Sequence, residues 1–438
     1  MESRPLHRSA FDGERPGGPH WASARIALLT YGSRGDVEPF VSLGKTLKDV
    51  GADVVLAAPE RFRAFATAYG LEFRGLAGDP QDLARQLVER AGLSRARQIR
   101  VMSRHVMGIA REVYGELREV CRGVSCIVHS FLMTSTGHLF ADQGGISEIS
   151  GQLFPVFSPT GDFVAPTFPD LPLGPGYRWL THALNSLVYW EGGRMMYASL
   201  RRQDPSLPKY PRWPFGDRGR VPILYAYSPA VLPAPANWGP RARVTGYWFL
   251  GPPPSWKPPD DLLRFLDAGP PPVYVGFGSM LGRRAGQIAL EASLALRSLG
   301  LRSLFGAPEE TLGSADLPPD SFRIADVPHS WLFPKLAAVI HHGGAGTTGA
   351  ALRAGRPSVV VPLTADQSFW ARQVHRLGAS PPPISGSRVT SATLAKAILA
   401  AVEDPSIGES ARELGRRVAA EDGARQAVEE IGRLISPR

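Results

Sequence analysis

His341-His342-Gly343-Gly344-Ala345-Gly346-Thr347-Thr348 is the stretch on which the fold of this chain turns. Ahead of it Ala338-Val339-Ile340 is a short apolar run of strand character. Behind it Thr348 to Ala354 has helix-forming composition and stops at Gly355, with Pro357 just beyond. Glycines at such a strand-to-helix turn leave main-chain N–H groups without intrahelical partners, at the positive end of the helix dipole, and let an anion's oxygens come close. The turn therefore reads as a seat for a diphosphate. Thr347 suits a helix cap and a hydroxyl donor, and His342, at the strand end, a ring N–H donor. Gly-rich turns occur throughout α/β proteins, and a lone histidine there is ordinarily structural, so the next unit matters. A second buried strand, Ser358 to Val361, runs through Pro362 to Asp366-Gln367. A carboxylate beside an amide suits the vicinal hydroxyls of a sugar.

Outward from this turn the same alternation of strand and helix recurs. In the second half it runs through a strand at Val273 to Phe277, a helix near Gln287 to Leu299, and strands at Leu301 to Phe305 and Phe322 to Ala325. In the first half it runs through a strand at Arg25 to Tyr31, a helix at Glu38 to Val50, a strand at Asp53 to Ala57 and a helix at Glu60 to Tyr69. Helical patterns follow over most of Asp82 to Arg118, then a strand at Cys126 to Ser130. Alternation of this kind predicts parallel sheets. Gly251-Pro252-Pro253-Pro254, Pro258-Pro259 and Pro270-Pro271-Pro272 separate the halves. With 438 residues the chain is too long for one ordinary core. The expected architecture is α/β, two doubly wound Rossmann-like domains facing across a cleft: a disordered tail over 1–24, a first domain over 25–245, a second over 246–410, and a helix over 411–438 packing back toward the first domain.

The first strand leads into Gly32-Ser33-Arg34-Gly35-Asp36-Val37-Glu38-Pro39, which lacks the G-x-G-x-x-G spacing of a nicotinamide site. Asp36, just before a helix, suits an N-cap; set at the mouth of a cleft, it equally suits a general base taking a proton from an alcohol. Arg34 suits the surface, or a phosphate, or the orienting of Asp36. In the second domain Gly276-Phe277-Gly278-Ser279 suits main-chain N–H and Ser279 hydroxyl contacts to the phosphates, while Val327 and His329 of Asp326-Val327-Pro328-His329 are placed to edge a base ring and to lie near phosphate or sugar; mere loop is the alternative reading of either stretch. Asp260-Asp261 falls in the Pro-rich linker, and no carboxylate pair has the setting of a phosphate-bridging metal, so neither a metal nor another cofactor is expected. Trp179, Tyr189, Trp190, Met195 and Met196 fit either a core-facing helix or an adaptable apolar acceptor cavity.

The chain is 43% hydrophobic and 20% charged, with a formal net charge of +9. No apolar run approaches a membrane span, and the first residues lack the apolar core of a secretory signal. Cys121 and Cys126 are the only cysteines, so a reducing cytoplasm is expected. The basic excess is scattered, without an aromatic RNA-binding signature or a Cys/His finger, and no nucleic-acid partner is expected. A basic face resting peripherally on an anionic membrane is the alternative outlet for the charge.

Several of these stretches together resemble the sterol 3-β-glucosyltransferases and related bacterial enzymes of the UDP-glycosyltransferase superfamily. The marks are Gly32-Ser33-Arg34-Gly35-Asp36-Val37, Gly246-Tyr247-Trp248-Phe249, Gly276-Phe277-Gly278-Ser279, Pro328-His329-Ser330-Trp331-Leu332-Phe333-Pro334, the His-Gly turn and Asp366-Gln367-Ser368-Phe369-Trp370. The resemblance implies a GT-B fold, with a nucleotide-sugar donor such as UDP-glucose held mainly by the second domain and a hydrophobic hydroxylated acceptor by the first. It implies Asp36 as base, and Ser33, Arg34, Val327, His329, His342, Ala345, Gly346, Thr347, Asp366 and Gln367 as the donor site. Ala345 stands where many sterol enzymes carry serine, and Ser368 replaces the usual proline. Enzymes acting on antibiotic aglycones have similar loops, so a TDP-deoxysugar with a polyketide-like aglycone is the alternative reaction. An epimerase, or a non-catalytic protein binding lipid or nucleotide sugar, is a further alternative; the latter is expected to lose the base or His342, and both are present.

Overall fold

A computed structural model describes residues 21–79, 95–203, 205, 221–278, 283–306, 317, 318, 320–324, 326–363 and 366–435. Ser279, residues 82–94 of the expected helical stretch and most of the expected tail lie outside them.

Among the described residues the first domain has seven parallel strands: β1 Arg25–Leu29, β2 Asp53–Pro59, β3 Glu72–Leu76, β4 Cys126–His129, β5 Ser147–Gln152, β6 Ile223–Tyr225 and β7 Ala242–Val244, in the order β3-β2-β1-β4-β5-β6-β7. The second has five: β8 Val273–Gly276, β9 Ser303–Phe305, β10 Ser321–Arg323, β11 Ala338–His341 and β12 Ser358–Val360, in the order β10-β9-β8-β11-β12. Helices in the first domain are α1 Arg34–Asp49, α2 Arg63–Thr67, α3 Arg95–Val120, α4 Thr134–Gly144 and α5 Gly174–Gln203. Those that follow are α6 Asp260–Asp267, α7 Arg283–Ser298, α8 His329–Leu332, α9 Ala345–Arg353, α10 Gln367–Arg376, α11 Ser391–Glu403, α12 Pro405–Ala419 and α13 Gly423–Ile435.

Parallel strands covered by helices on both faces need apolar side chains on both. In β1, Ile26 and Leu28 share a core with Phe40, Leu43 and Leu47 of α1, while Ala27 and Leu29 share one with Val113 and Leu117 of α3. In the second sheet Val273 and Val275 join Ile288 and Ala292 of α7, and Tyr274 joins Leu332 and Phe333 on the opposite side. Strand order reverses between β1 and β4 in one sheet and between β8 and β11 in the other. Crevices open beyond the carboxyl ends of strands at such points.

The structure corrects four expectations. Helix α1 starts at Arg34 rather than Glu38, a turn early, because Ser33 caps it and Asp36 bonds back to the Ser33 backbone, so Pro39 falls inside the helix and Asp36 is not the N-cap. Helix α9 starts at Ala345 rather than Thr348, with Gly344 as N-cap; Thr347 caps nothing. Asp260 and Asp261 are not linker residues but the first turn of α6, where carboxylates complement the helix dipole. The single helix expected near the C-terminus is two, α12 and α13. At the start of α13 only glycine fits: a Cβ on Gly423 would lie 2.4 Å from the carbonyl carbon of Gly246, where the chain leaves the first domain. Beyond that crossing, Ala424, Ala427, Val428 and Ile431 of α13 complete the core around β1 and α1.

Candidate active site

Asp36 sits in the third position of α1, at the end of β1. Its Oδ2 accepts the Ser33 N–H at 2.7 Å and the Ser33 hydroxyl at 2.9 Å. Both contacts use one oxygen, which leaves Oδ1 to take a proton. Gly32 makes this geometry possible: its φ is +142°, and a Cβ there would lie 2.3 Å from Asp36 Oδ2. Burial raises the Asp36 carboxyl, and the bonds from Ser33 pull it back in part. Gly32→Ala should therefore push the carboxylate off its station, costing roughly a hundredfold in kcat while donor affinity is retained; steady-state kinetics with a separate donor titration check it.

Across the cleft, α9 is the first helix after β11. Thr348 N–H is the first to bond within it, to Gly344 C=O, so the N–H groups of Ala345, Gly346 and Thr347 have no intrahelical acceptor. Gly346 directly faces the Asp36 loop: a Cβ on it would lie 3.8 Å from the Cα of Gly35. Gly343, at φ +88°, is required because a Cβ would meet Gln367 C=O and Val360 Cγ1, both at 2.9 Å. The His342 ring lies in a slot between glycines, where a Cβ on Gly344 would come within 2.5 Å of Nε2 and one on Gly278 within 3.0 Å of Cε1. Burial lowers its pKa to about 4, so near neutrality it is an uncharged N–H donor. His341 points away into the core, accepting the Gly343 N–H at 3.1 Å.

Asp366 immediately precedes α10 and accepts the Trp370 indole N–H at 3.1 Å. Burial pushes its carboxyl up to about 7; its own backbone and Trp370 oppose this, and the charge of Asp36 adds to it, so the two carboxylates from opposite domains are within electrostatic reach. Gln367 is buried, and its Oε1 accepts the Leu363 N–H at 2.8 Å, so its amide also holds the turn in shape. An ionised Asp366 accepts sugar hydroxyls better than a protonated one, so donor affinity should rise between about pH 6 and about pH 8. Asp36→Asn removes a neighbouring negative charge and should move that rise to lower pH; calorimetric donor titrations across the range check both.

These groups line one cavity of about 740 Å³ between the domains, with Ser33, Arg34, Asp36, Val327, His329, His342, Ala345, Gly346, Thr347, Asp366 and Gln367 all in its wall. His329 stacks on Phe333 with ring centroids 4.3 Å apart, and burial, reinforced by Arg34, lowers its pKa to about 4. Leu153, Phe154, Trp248, Phe249 and Leu250 add an apolar wall. Arg34 does not orient Asp36. Its guanidinium lies over Phe65 at 4.7 Å and pairs with Glu38 at 2.9 Å and, across the cleft, with Asp326. Asp326 is a functional candidate that the residue-by-residue reading passed over, though its motif was conspicuous. Arg353, which lies over the Phe249 ring at 4.6 Å and lines the same cavity, carried no signal.

The acceptor candidates on α5 do not enter this cavity. Trp179 and Met195 are exposed, and Tyr189 packs on Phe131 and Phe157. Trp190 and Met196 likewise line no part of it, Met196 packing between α5 and α3. The helix carries apolar residues round most of its circumference, so no periodicity indicates its inner face. Only indirectly does it reach the site, through Tyr189 on Phe131 and Phe131 on Phe154.

Two family descriptions match the chain: "Glycosyltransferase family 28 N-terminal domain" over residues 26–120, and "Erythromycin biosynthesis protein CIII-like, C-terminal domain" over residues 307–434. An O-mycaminosyltylonolide 6-deoxyallosyltransferase of Streptomyces fradiae is 36% identical over 92% of this chain and 96% of its own length. A sterol 3-beta-glucosyltransferase of Candida albicans is 32% identical over 93% of this chain, which spans 28% of that longer protein. Among solved structures, the glycotransferase of kitacinnamycin superposes with a TM-score of 0.67 at 21% identity, covering 94% of this chain and 98% of that one. Two Rossmann-like domains closing on a shared cleft are the GT-B architecture of a glycosyltransferase. The chain belongs to the UDP-glycosyltransferase superfamily.

Proposed function

We propose an inverting, metal-independent transfer of a hexose, glucose from UDP-glucose in the first instance, to a hydroxyl of a hydrophobic acceptor such as a sterol. The observation that carries this reading is the close approach of the Asp36 loop to the anion-binding end of α9, with Gly35 and Gly346 in near contact. An acceptor hydroxyl held beside Asp36 gives its proton to Oδ1 as its oxygen bonds to the anomeric carbon. On the opposite face the bond from that carbon to the diphosphate oxygen breaks, and its electron pair leaves with the nucleoside diphosphate, inverting the anomeric centre. The N–H groups of Ala345, Gly346 and Thr347, the dipole of α9 and the neutral His342 ring take up the developing negative charge. Asp366 and Gln367 face the sugar, Val327 and His329 the nucleoside side. Among the described residues no three His, Cys, Asp or Glu side chains gather as metal ligands would. The apolar wall of Leu153, Phe154, Trp248 and Phe249 supports a hydrophobic acceptor.

A second reading, transfer of a TDP-deoxysugar to a polyketide-like aglycone, is favoured by the Streptomyces fradiae relative, matched over nearly its whole length, and by Ala345 and Ser368. Purified protein incubated with UDP- and TDP-sugars against a panel of sterols and macrolide aglycones, with products read by mass, separates the two. A hexosylated sterol from UDP-glucose supports the first. Product only from TDP-sugar and aglycone replaces it with the second.

A further inference from the structure

Helix α5 leaves a continuous apolar row in solvent. Leu180, Leu184, Leu187, Val188 and Met195 are each between 40% and 55% exposed, and their spacing of four, three, one and seven residues keeps them on one face. Trp179, 55% exposed, adjoins the row, and Leu171 and Leu173 extend the apolar surface in the segment leading into the helix. A monomeric soluble protein seldom leaves so long a row uncovered without a use for it. None of these residues lines the interdomain cavity.

Beside this row lies positive charge. Helix α3 packs on α5 through Ala110 and Tyr114 against Met196, Tyr197 and Leu200. On its outer surface Arg100, Arg104, Arg111 and Arg118 are exposed at spacings of four, seven and seven, one above another on a single face, with exposed Met107 among them. Among the described residues these four arginines make no ion pair. By sequence α3 and α5 carry ten arginines against four glutamates, which is six of the nine net positive charges of the whole chain. An apolar row with an aromatic end and a neighbouring file of unpaired arginines matches a surface whose interior is hydrocarbon and whose headgroups are anionic.

We infer that the outer face of the α3–α5 pair docks on an anionic bilayer. The leucines and Trp179 enter the headgroup boundary, and the arginines contact lipid phosphates. No helix among the described residues is long and apolar enough to cross a membrane, so the contact lies in the interface plane. This placement does not depend on which acceptor is glycosylated. It does put the protein at the phase in which hydrophobic hydroxylated molecules dissolve.

The test is sedimentation of the full chain with vesicles of phosphatidylcholine alone and of phosphatidylcholine mixed with phosphatidylglycerol, at low and high salt. The expected result is binding to the mixed vesicles, weakened by salt. Leu184→Glu/Leu187→Glu should lower the partition coefficient at least about tenfold. Arg104→Gln/Arg111→Gln should lower it roughly tenfold or more on anionic vesicles and flatten the salt dependence. Turnover of a water-soluble acceptor should be unchanged in both variants, which shows that they are folded. No binding to either vesicle overturns the inference, as does binding that both variants retain in full. Loss of self-association in the leucine variant without any vesicle binding overturns it too, by assigning the face to a protein contact.

Discussion

Asp36→Asn should lose between about a hundredfold and ten-thousandfold in kcat while its donor dissociation constant, measured at about pH 8 or above where Asp366 is ionised in both proteins, changes little. The substitution is nearly isosteric. Its side-chain oxygen can still accept the Ser33 N–H and hydroxyl, so the start of α1 is kept and the fold is not in question. What disappears is a carboxylate oxygen able to receive a proton. The partition between a collapsed kcat and a preserved donor affinity is the signature of a base that acts on the acceptor. Loss of donor affinity comparable with the loss of kcat would instead make Asp36 a binding group. Turnover and calorimetric donor affinity, measured on the same preparation, decide between them.

His342→Ala should cost about a hundred- to a thousandfold in kcat/KM, the range found when one preorganised donor to a developing negative charge is removed. Gly278 and Gly344 leave room for that ring, and a Cβ at either position would press on it. Burial holds its pKa down at about 4, which fixes the sign of the pH dependence. Above that value the ring is neutral, and its contribution comes from one N–H rather than from a charge. The ratio of wild-type to variant kcat/KM should therefore be flat between about pH 6 and about pH 8. If the ratio falls as pH rises through neutrality, the ring acts as a cation and its environment has been misread. Pre-steady-state measurements that isolate the chemical step remove any contribution from product release.

Much of this architecture could be read from residues alone, because the signals that define it are local. Short apolar runs such as Ala338-Val339-Ile340, each followed by a glycine turn and a helix, require parallel strands and put the loops at one edge. The prolines between Gly251 and Pro272 mark the passage from one domain to the other. That the glycine turn before α9, Asp36 and Asp366 line the cleft was legible for the same reason, as groups at strand ends where a buried strand hands over to a helix. Strand β5 was not legible: its residues, Ser-Glu-Ile-Ser-Gly-Gln, look like loop. Two of its polar side chains find partners inside, Glu148 bonded to both His129 and His138 and Gln152 donating to Ser150 of the same strand. The start of α1 was hidden by Gly35 and Pro39, two residues that ordinarily argue against helix, and the reciprocal cap between Ser33 and Asp36 outweighs them. The aromatic and methionine residues of α5 were misplaced for another reason. Which way a helix with apolar residues all round turns is decided by its neighbours, and only the packing of α3 and of Phe131 reveals it.

The cross-cleft pair of Arg34 with Asp326 shows how the two halves of the site are kept in register. One partner lies two residues from Asp36, and the other stands beside Val327 in the opposite wall of the cavity. Both side chains are partly solvent-exposed, so the pair contributes little to stability, and its use is in setting the relative placement of the loops.

The most direct measurement is a crystal structure of the protein with a non-transferable nucleotide-sugar analogue. The diphosphate should rest on the N–H groups at the start of α9 with His342 alongside, the sugar should reach Asp366, and the anomeric carbon should present its free face to Asp36. A diphosphate bound away from α9, or an anomeric carbon screened from Asp36 by the nucleotide itself, would contradict the opposition of base and anion cradle from which every step described above is derived.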